Sequence, residues 1–232
     1  GDITIDNGTR ALILGTVTAN GALSIRGGNG ITDNGVITVT GTSLFHSDVT
    51  AKAITLDSNN AMAGAVSITH TGAADVAIDN HTTALILGTV STGRNFEARS
   101  GGGITDSGVI TVNGTSLFHS DVAGQVITLD STNAMTGAVS ITHSGSANVA
   151  IDNGTTALNL GTVTVGQNFS ATSGGAITDS GVITVAGTAT FVTDVNDIDI
   201  VLDSDNAITG ALTFTTQTSG STNGADITFD NG

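Results

Sequence analysis

The chain has 232 residues, with Lys+Arg 5 against Asp+Glu 20 and a formal charge of −15 at pH 7. It lacks Pro, Cys, Trp and Tyr, so it has no disulfide framework and no thiolate chemistry. The scarcity of basic residues removes the electrostatic footprint of a nucleic-acid binder. A hydrophobic fraction of 38% is too high for a disordered acidic chain.

Taken from the start, the first apolar run is Ala11–Gly15, too short for a stable helix and read as a strand entering a corner. Val36–Val39, Ala53–Leu56, Val66–Thr69 and Asp75–Ile78 follow as short, alternating, mostly β-branched runs. Asn-Gly, Asp-Asn, Gly-Gly and Ser-Gly pairs separate them and mark turns. No run reaches the length of a membrane span. Gly1 opens the chain in mid-pattern, so the sequence is expected to be an internal piece of a larger protein.

A repeat organises these runs. The phrase ITD-x-G begins at Ile31, Ile104 and Ile177, a constant period of 73. GTSLFHSDV at Gly41–Val49 returns unchanged at Gly114–Val122 and as GTATFVTDV at Gly187–Val195. IDN starts at Ile5, Ile78 and Ile151, and its last form, FDN at Phe229, arrives five residues late. That delay places an insertion within Gln217–Gly224. The expected organisation is one continuous body over 1–232, with repeats 31–103, 104–176 and an incomplete 177–232, preceded by 1–30 as the end of another repeat. Within a repeat, similar phrases begin at Asn95, Gln125, Asn148 and Asn168, at unequal steps of 30, 23 and 20. Three coils per repeat is the simplest account, and stacked rungs about 4.8 Å apart would make a rod of roughly 45–50 Å. The absence of Pro fits a continuously hydrogen-bonded stack.

The cassette NF-x-A-x-S-GG-x-ITDSGVITV-x-GT-x-x-F, clearest over Asn168–Phe191, resembles the repeat region of filamentous-haemagglutinin-like adhesins and other bacterial surface proteins of β-strand repeats. Ala147–Val165 and Ile200–Thr215 complete such a unit. The resemblance implies a right-handed parallel β-helix, secreted or on the outer cell surface, serving as a stalk or shaft. Two other roles stay open: a subunit of a self-assembling extracellular fibre or sheath, and a carbohydrate-binding β-solenoid. The expected partners are neighbouring repeats of the same protein, possible end-to-end self-association, and a receptor that the sequence does not name. Insertion of this segment into a membrane is not expected.

No residue set suggests catalysis or a cofactor. Phe45, Phe118 and Phe191 are repeat equivalents, as are Phe96 and Phe169, and all five are expected as core fillers. His46 pairs with His119 across repeats and His70 with His143, while His81 stands apart. Equivalents three rungs apart would be too distant to share a metal. Aspartates in IDN and LDS sit beside turns, where they cap backbone N–H groups. The densest oxygen cluster, Asp194, Asn196, Asp197 and Asp199, is a candidate for weak calcium binding only. The glycine stretches lack the following Lys-Ser or Lys-Thr of a phosphate loop.

Overall fold

The computed structural model describes all residues except 50, 71, 121, 144 and 218–223. Among the described residues every regular element is a β-strand, and every strand pair is parallel. Most of the insertion expected at Gln217–Gly224 lies outside them. Among the described residues no helix is long and apolar enough to cross a membrane.

Two long sheets form opposite faces of a solenoid. The front path begins at Ile3–Asp6 and ends at Leu212–Gln217; the back path begins at Leu12–Leu14 and ends at Ile227–Phe229. Each path holds 11 strands, one per coil, so the solenoid has about 11 coils. Coils differ in length, as the pairings Leu85↔Ile104 and Ser43↔Val66 on successive front rungs show. At about 4.8 Å per rung the stack is roughly 50 Å long.

Alternation explains the packing. In Val66–His70 and its counterpart Val139–His143, every second residue points inward and is buried. Val, Ile, Leu and Phe fill one continuous core along the axis. Parallel rungs satisfy each other's backbone groups, so the interior excludes water without orphaning the main chain.

The repeat spans three and a half coils, which sharpens the sequence estimate of about three. The long step between Asn95 and Gln125 accounts for the difference. Phe96–Ser100 lies in the back sheet and Ile127–Leu129 in the front sheet, so that step covers one and a half coils. The steps from Gln125 to Asn148 and from Asn148 to Asn168 stay on the front sheet and cover one coil each. Equivalent strands therefore change faces with every repeat. Ser43–Ser47 is in front, Ser116–Ser120 behind, and Ala189–Asn196 in front again.

A short third ladder follows the same rule. Val17–Ala19, Ile37–Val39 and Ala61–Met62 stack where the chain passes from back to front. The second repeat builds its ladder where the chain passes from front to back, using the end of Leu85–Thr92 with Ile110–Val112 and Ala134–Met135. The third returns to the first edge with Leu158–Val165, Ile183–Val185 and Ala207–Ile208. Two of the three eight-residue strands, Leu85–Thr92 and Leu158–Val165, contain a bulge against the rung below, since Val66↔Leu87 is followed by Ile68↔Val90, and Val139↔Leu160 by Ile141↔Val163. Gly88 and Gly161 sit at these bulges, and a Cβ on either would lie 2.4 Å from Ser67 Oγ or Ser140 Oγ.

Candidate functional site

The repeated side chains sort into three environments: the core, the corners and the outer faces. In the core, Phe45, Phe118, Phe191, Phe96 and Phe169 are all buried. Phe96 meets Phe118 edge to face at 5.9 Å, and Phe169 meets Phe191 at 5.8 Å. Small register neighbours make room, with Ala98 beneath Phe118 and Ala171 beneath Phe191. None of the seven phenylalanines is exposed, since Phe214 and Phe229 at the last coil are half-buried.

The corners carry polar clamps that the turn-former reading missed. Asn60 donates from Nδ2 to Asp33 Oδ2 at 2.7 Å, and its Oδ1 accepts from Ile37 N–H at 2.9 Å. Asp33 also accepts from the N–H of Asp57. Asn133 with Asp106, and Asn206 with Asp179, repeat the arrangement. A second clamp is the Asn of IDN. Asn80 accepts from Met62 N–H and donates to the carbonyls of Met62, Thr83 and Ala84, and Asn153 does the same with Met135, Thr156 and Ala157. One side chain thus holds the rung below and closes its own turn. The signal was present in the sequence: Asn60, Asn133 and Asn206 recur with the period of the repeat, each before Ala-Met or Ala-Ile. Asn80 and Asn153 also head Asn-x-Thr phrases, but both are buried.

His70 and His143 point into the corners. The His70 ring nitrogens face the carbonyls of Gly72 and Lys52, at 3.0 and 2.7 Å. His143 faces those of Gly145 and Gln125. His81 occupies an exposed corner with φ 48°, its N–H donating to Asp79 Oδ1.

On the outside, Asp6, Arg26 and His46 share a column across the front rungs, and Asp79, Arg99 and His119 share the matching column behind. His46 and His119 therefore lie half a turn apart on opposite faces rather than in one column three rungs apart. The third repeat replaces the column with Asp152, Thr172 and Val192. Arg26 bonds Asp6 at 3.1 Å and Asp48 at 2.8 Å, and Asp48 also meets His46 at 2.6 Å. The His46 contact and then Arg26 hold the Asp48 carboxyl below its ordinary range. The Gly8 N–H and then Arg26 do the same for Asp6, and the two carboxylates push Arg26 up. Asp121, the second-repeat counterpart of Asp48, is outside the described residues.

The candidate calcium residues do not form a cage. Asp194, Asn196 and Asp199 are exposed, and Asp199 Oδ1 accepts from Asp226 N–H at 2.8 Å. Asp197 adopts φ 59° in the turn after the strand. Among the described residues no three His, Cys, Asp or Glu side chains gather as a metal site. An open hollow of about 390 Å³ on the back face is lined by Asp57, Ala77, Ile78, Asp79, Glu97 and Arg99. Its arginine is already paired with Glu97.

The core phenylalanines and the Asn–Asp corner clamps recur three times along the chain, and so does its match to known proteins. A family model described as repeats of unknown function (DUF5649) matches residues 1–69, 73–142 and 146–215. No curated protein and no solved structure matches the chain. Three successive matches cover most of the 232 residues, and the chain belongs to that family of repeats.

Proposed function

We propose that the chain is a structural stalk or shaft segment of a large secreted or cell-surface bacterial adhesin, and not an enzyme. The observation that carries this reading is the equivalence of the repeats. Each adds three and a half coils to one uninterrupted core, and the clamps that hold the coils together recur in all three. A stacked coil contacts only its neighbours, so length grows by addition without a special site in any unit. The adhesin assignment and the extracellular setting rest on the resemblance of the Asn168–Phe191 cassette. A carbohydrate-binding role is less well supported, because no phenylalanine is exposed to stack against a sugar ring.

The test is length. Duplicating one repeat should lengthen the particle by about 17 Å, from three and a half rungs at the strand spacing, while keeping a single cooperative melt. Small-angle scattering would read the increment. An unchanged maximum dimension, or a second independent transition, would remove the stalk reading.

A fibre subunit is the second reading, favoured by the uninterrupted parallel stacking of like rungs along the whole axis. Ile3–Asp6 and Leu12–Leu14 form the first rungs of their sheets, Leu212–Gln217 and Ile227–Phe229 the last.

A further inference from the structure

His70 and His143 end their strands on the inward side, 3% and 1% exposed, and each ring is bracketed by two backbone carbonyls. Nδ1 of His70 lies 3.0 Å from Gly72 O in its own corner, and Nε2 lies 2.7 Å from Lys52 O in the corner of the coil below. His143 repeats the arrangement on the opposite edge of the stack, with Nδ1 3.2 Å from Gly145 O and Nε2 against Gln125 O. A carbonyl oxygen only accepts, so each contact needs an N–H. A neutral imidazole has one N–H and one lone pair, and it bonds only one of the two carbonyls. The imidazolium ion has two N–H groups and bonds both.

The third repeat shows that the lower carbonyl takes a donor. Thr216 stands where His70 and His143 do. There Ile198 O, the counterpart of Lys52 O and Gln125 O, accepts from Thr193 Oγ1 at 3.2 Å. Thr193 replaces Ser47 and Ser120, which lie directly beneath the two histidines. Among the described residues the Ser120 hydroxyl has no hydrogen-bond partner. Two repeats thus serve this corner with a donor that titrates, and the third with one that does not.

The charges around the two rings differ. Near His70 they are Asp48 and Lys52 below, His46 on the outer face, Asp75 in the same corner and Arg94 above. Asp48 is tied to Arg26 and His46, and Arg94 to Asp75 at 3.5 Å. Near His143, Gln125, Asn148 and Gln167 stand in for Lys52, Asp75 and Arg94. That leaves His119 on the outer face and Asp121, which lies outside the described residues. The carbonyl pair is the same in both corners.

We propose that His70 and His143 are proton-operated clasps, which lock their corners when both ring nitrogens carry protons and loosen them when one proton leaves. The remaining proton stays on Nε2, the nearer contact, and holds the coil below. Nδ1 then turns a lone pair toward the carbonyl of Gly72 or Gly145. The stack keeps its register while residues 72–75 and 145–148 are freed. Protonation strengthens the folded corner, so its contribution is greatest in acid and declines as pH rises through roughly 5–8, where histidine side chains exchange protons. The clasps sit on opposite edges, so both sides of the stack respond together. The device acts within the fold and holds for any of the roles proposed above.

Imidazole nitrogen chemical shifts read the clasps directly in the intact chain. At pH 5 both ring nitrogens of His70 and His143 should carry protons, and at pH 8 only Nε2. Two nearby amides report the corners: Ala74 N–H donates to Gly72 O, and Gly145 N–H to His143 O. Their protection factors, corrected for the intrinsic pH dependence of exchange, should fall on the order of tenfold between pH 5 and pH 8, the loss of one charge-assisted bond. His70→Gln with His143→Gln, whose side-chain amides donate at every pH, should flatten that profile. A single proton on Nε2 at pH 5 would overturn the proposal, and so would an equal fall in protection in the glutamine pair. The nitrogen shifts decide on the parent chain alone, whether or not the double variant folds.

Discussion

The sequence ALILGTV occurs twice and folds two ways. At residues 84–90 it lies within one eight-residue strand, Leu85–Thr92, which bulges at Gly88 and turns the corner without a break. At residues 11–17 it forms Leu12–Leu14, a gap, and then the start of Val17–Ala19. The local residues are identical, so the difference comes from what lies below. Leu85–Thr92 rests on Val66–His70, whose N–H and C=O groups guide it through the corner. Leu12–Ala19 has no rung beneath it among the described residues. The stacking partner, more than local propensity, decides whether a strand runs on.

Interior and end copies of one position can therefore be set against each other. The largest contrast is expected in the core. Phe118→Ala should destabilise by about 3–5 kcal/mol in chemical denaturation, because the ring is wholly buried between Ala98 and Ile141. Phe229→Ala, in the half-buried last rung, should lose less than half as much. Equal losses would show that the end coil is as tightly packed as the middle.

Next comes the clamp. Asn153→Ala removes four hydrogen bonds from a buried corner and should destabilise by about 2–3 kcal/mol. Asn7→Ala removes one at the open end and should shift stability by less than about 1 kcal/mol. Hydrogen exchange should locate the Asn153→Ala effect at the N–H groups of Met135 and Thr156, and uniform loss of protection along the chain would contradict a local clamp.

The glycine pair gives a smaller, more pointed contrast. Gly88→Val drives a side chain into Ser67 and should be destabilising by about 1–3 kcal/mol. Gly15→Val meets open space and should stay within about 0.5 kcal/mol of the parent. Thermal melts of the two monomers would decide, and a matching loss for Gly15→Val would mean that the first corner is already packed.

The smallest effect is electrostatic and compares the front column with its third-repeat counterpart. Asp6 and Asp48 ionise more readily in the folded chain than unfolded, so their contribution is present above the ordinary carboxylate range and fades as pH falls through their lowered folded values. Arg26 stays charged throughout. Acid titration below about pH 4 should loosen the first coils before the Asp152–Thr172–Val192 region, and high salt should shrink the difference. Protection factors, corrected for the intrinsic pH dependence of exchange, that fall equally in both regions over that range would exclude it.

Much of this architecture was readable from residues alone. The period, the parallel stack and the inward phenylalanines all follow from repetition and alternation. The half turn did not, because phrase matching compares strands without knowing which face they occupy. Asn95 and Gln125 open similar phrases, yet one lies behind and the other in front. The clamps were hidden differently. Asn60 and Asn80 look like ordinary turn residues, and only their burial separates a structural amide from a solvated one. Outward columns such as Asp79–Arg99–His119 required the register itself, since neighbours in a column are separated by a whole coil of sequence.

The half turn also has a mechanical consequence. A bulge lengthens one side of a coil and tilts the next, so a bulge repeated always on the same side would wind the stack into an arc. Here Gly88 lies on the front sheet and Gly161 on the back. The two tilts point in opposite directions and cancel over each pair of repeats. Irregular corners are thereby reconciled with a stack that does not wind consistently to one side.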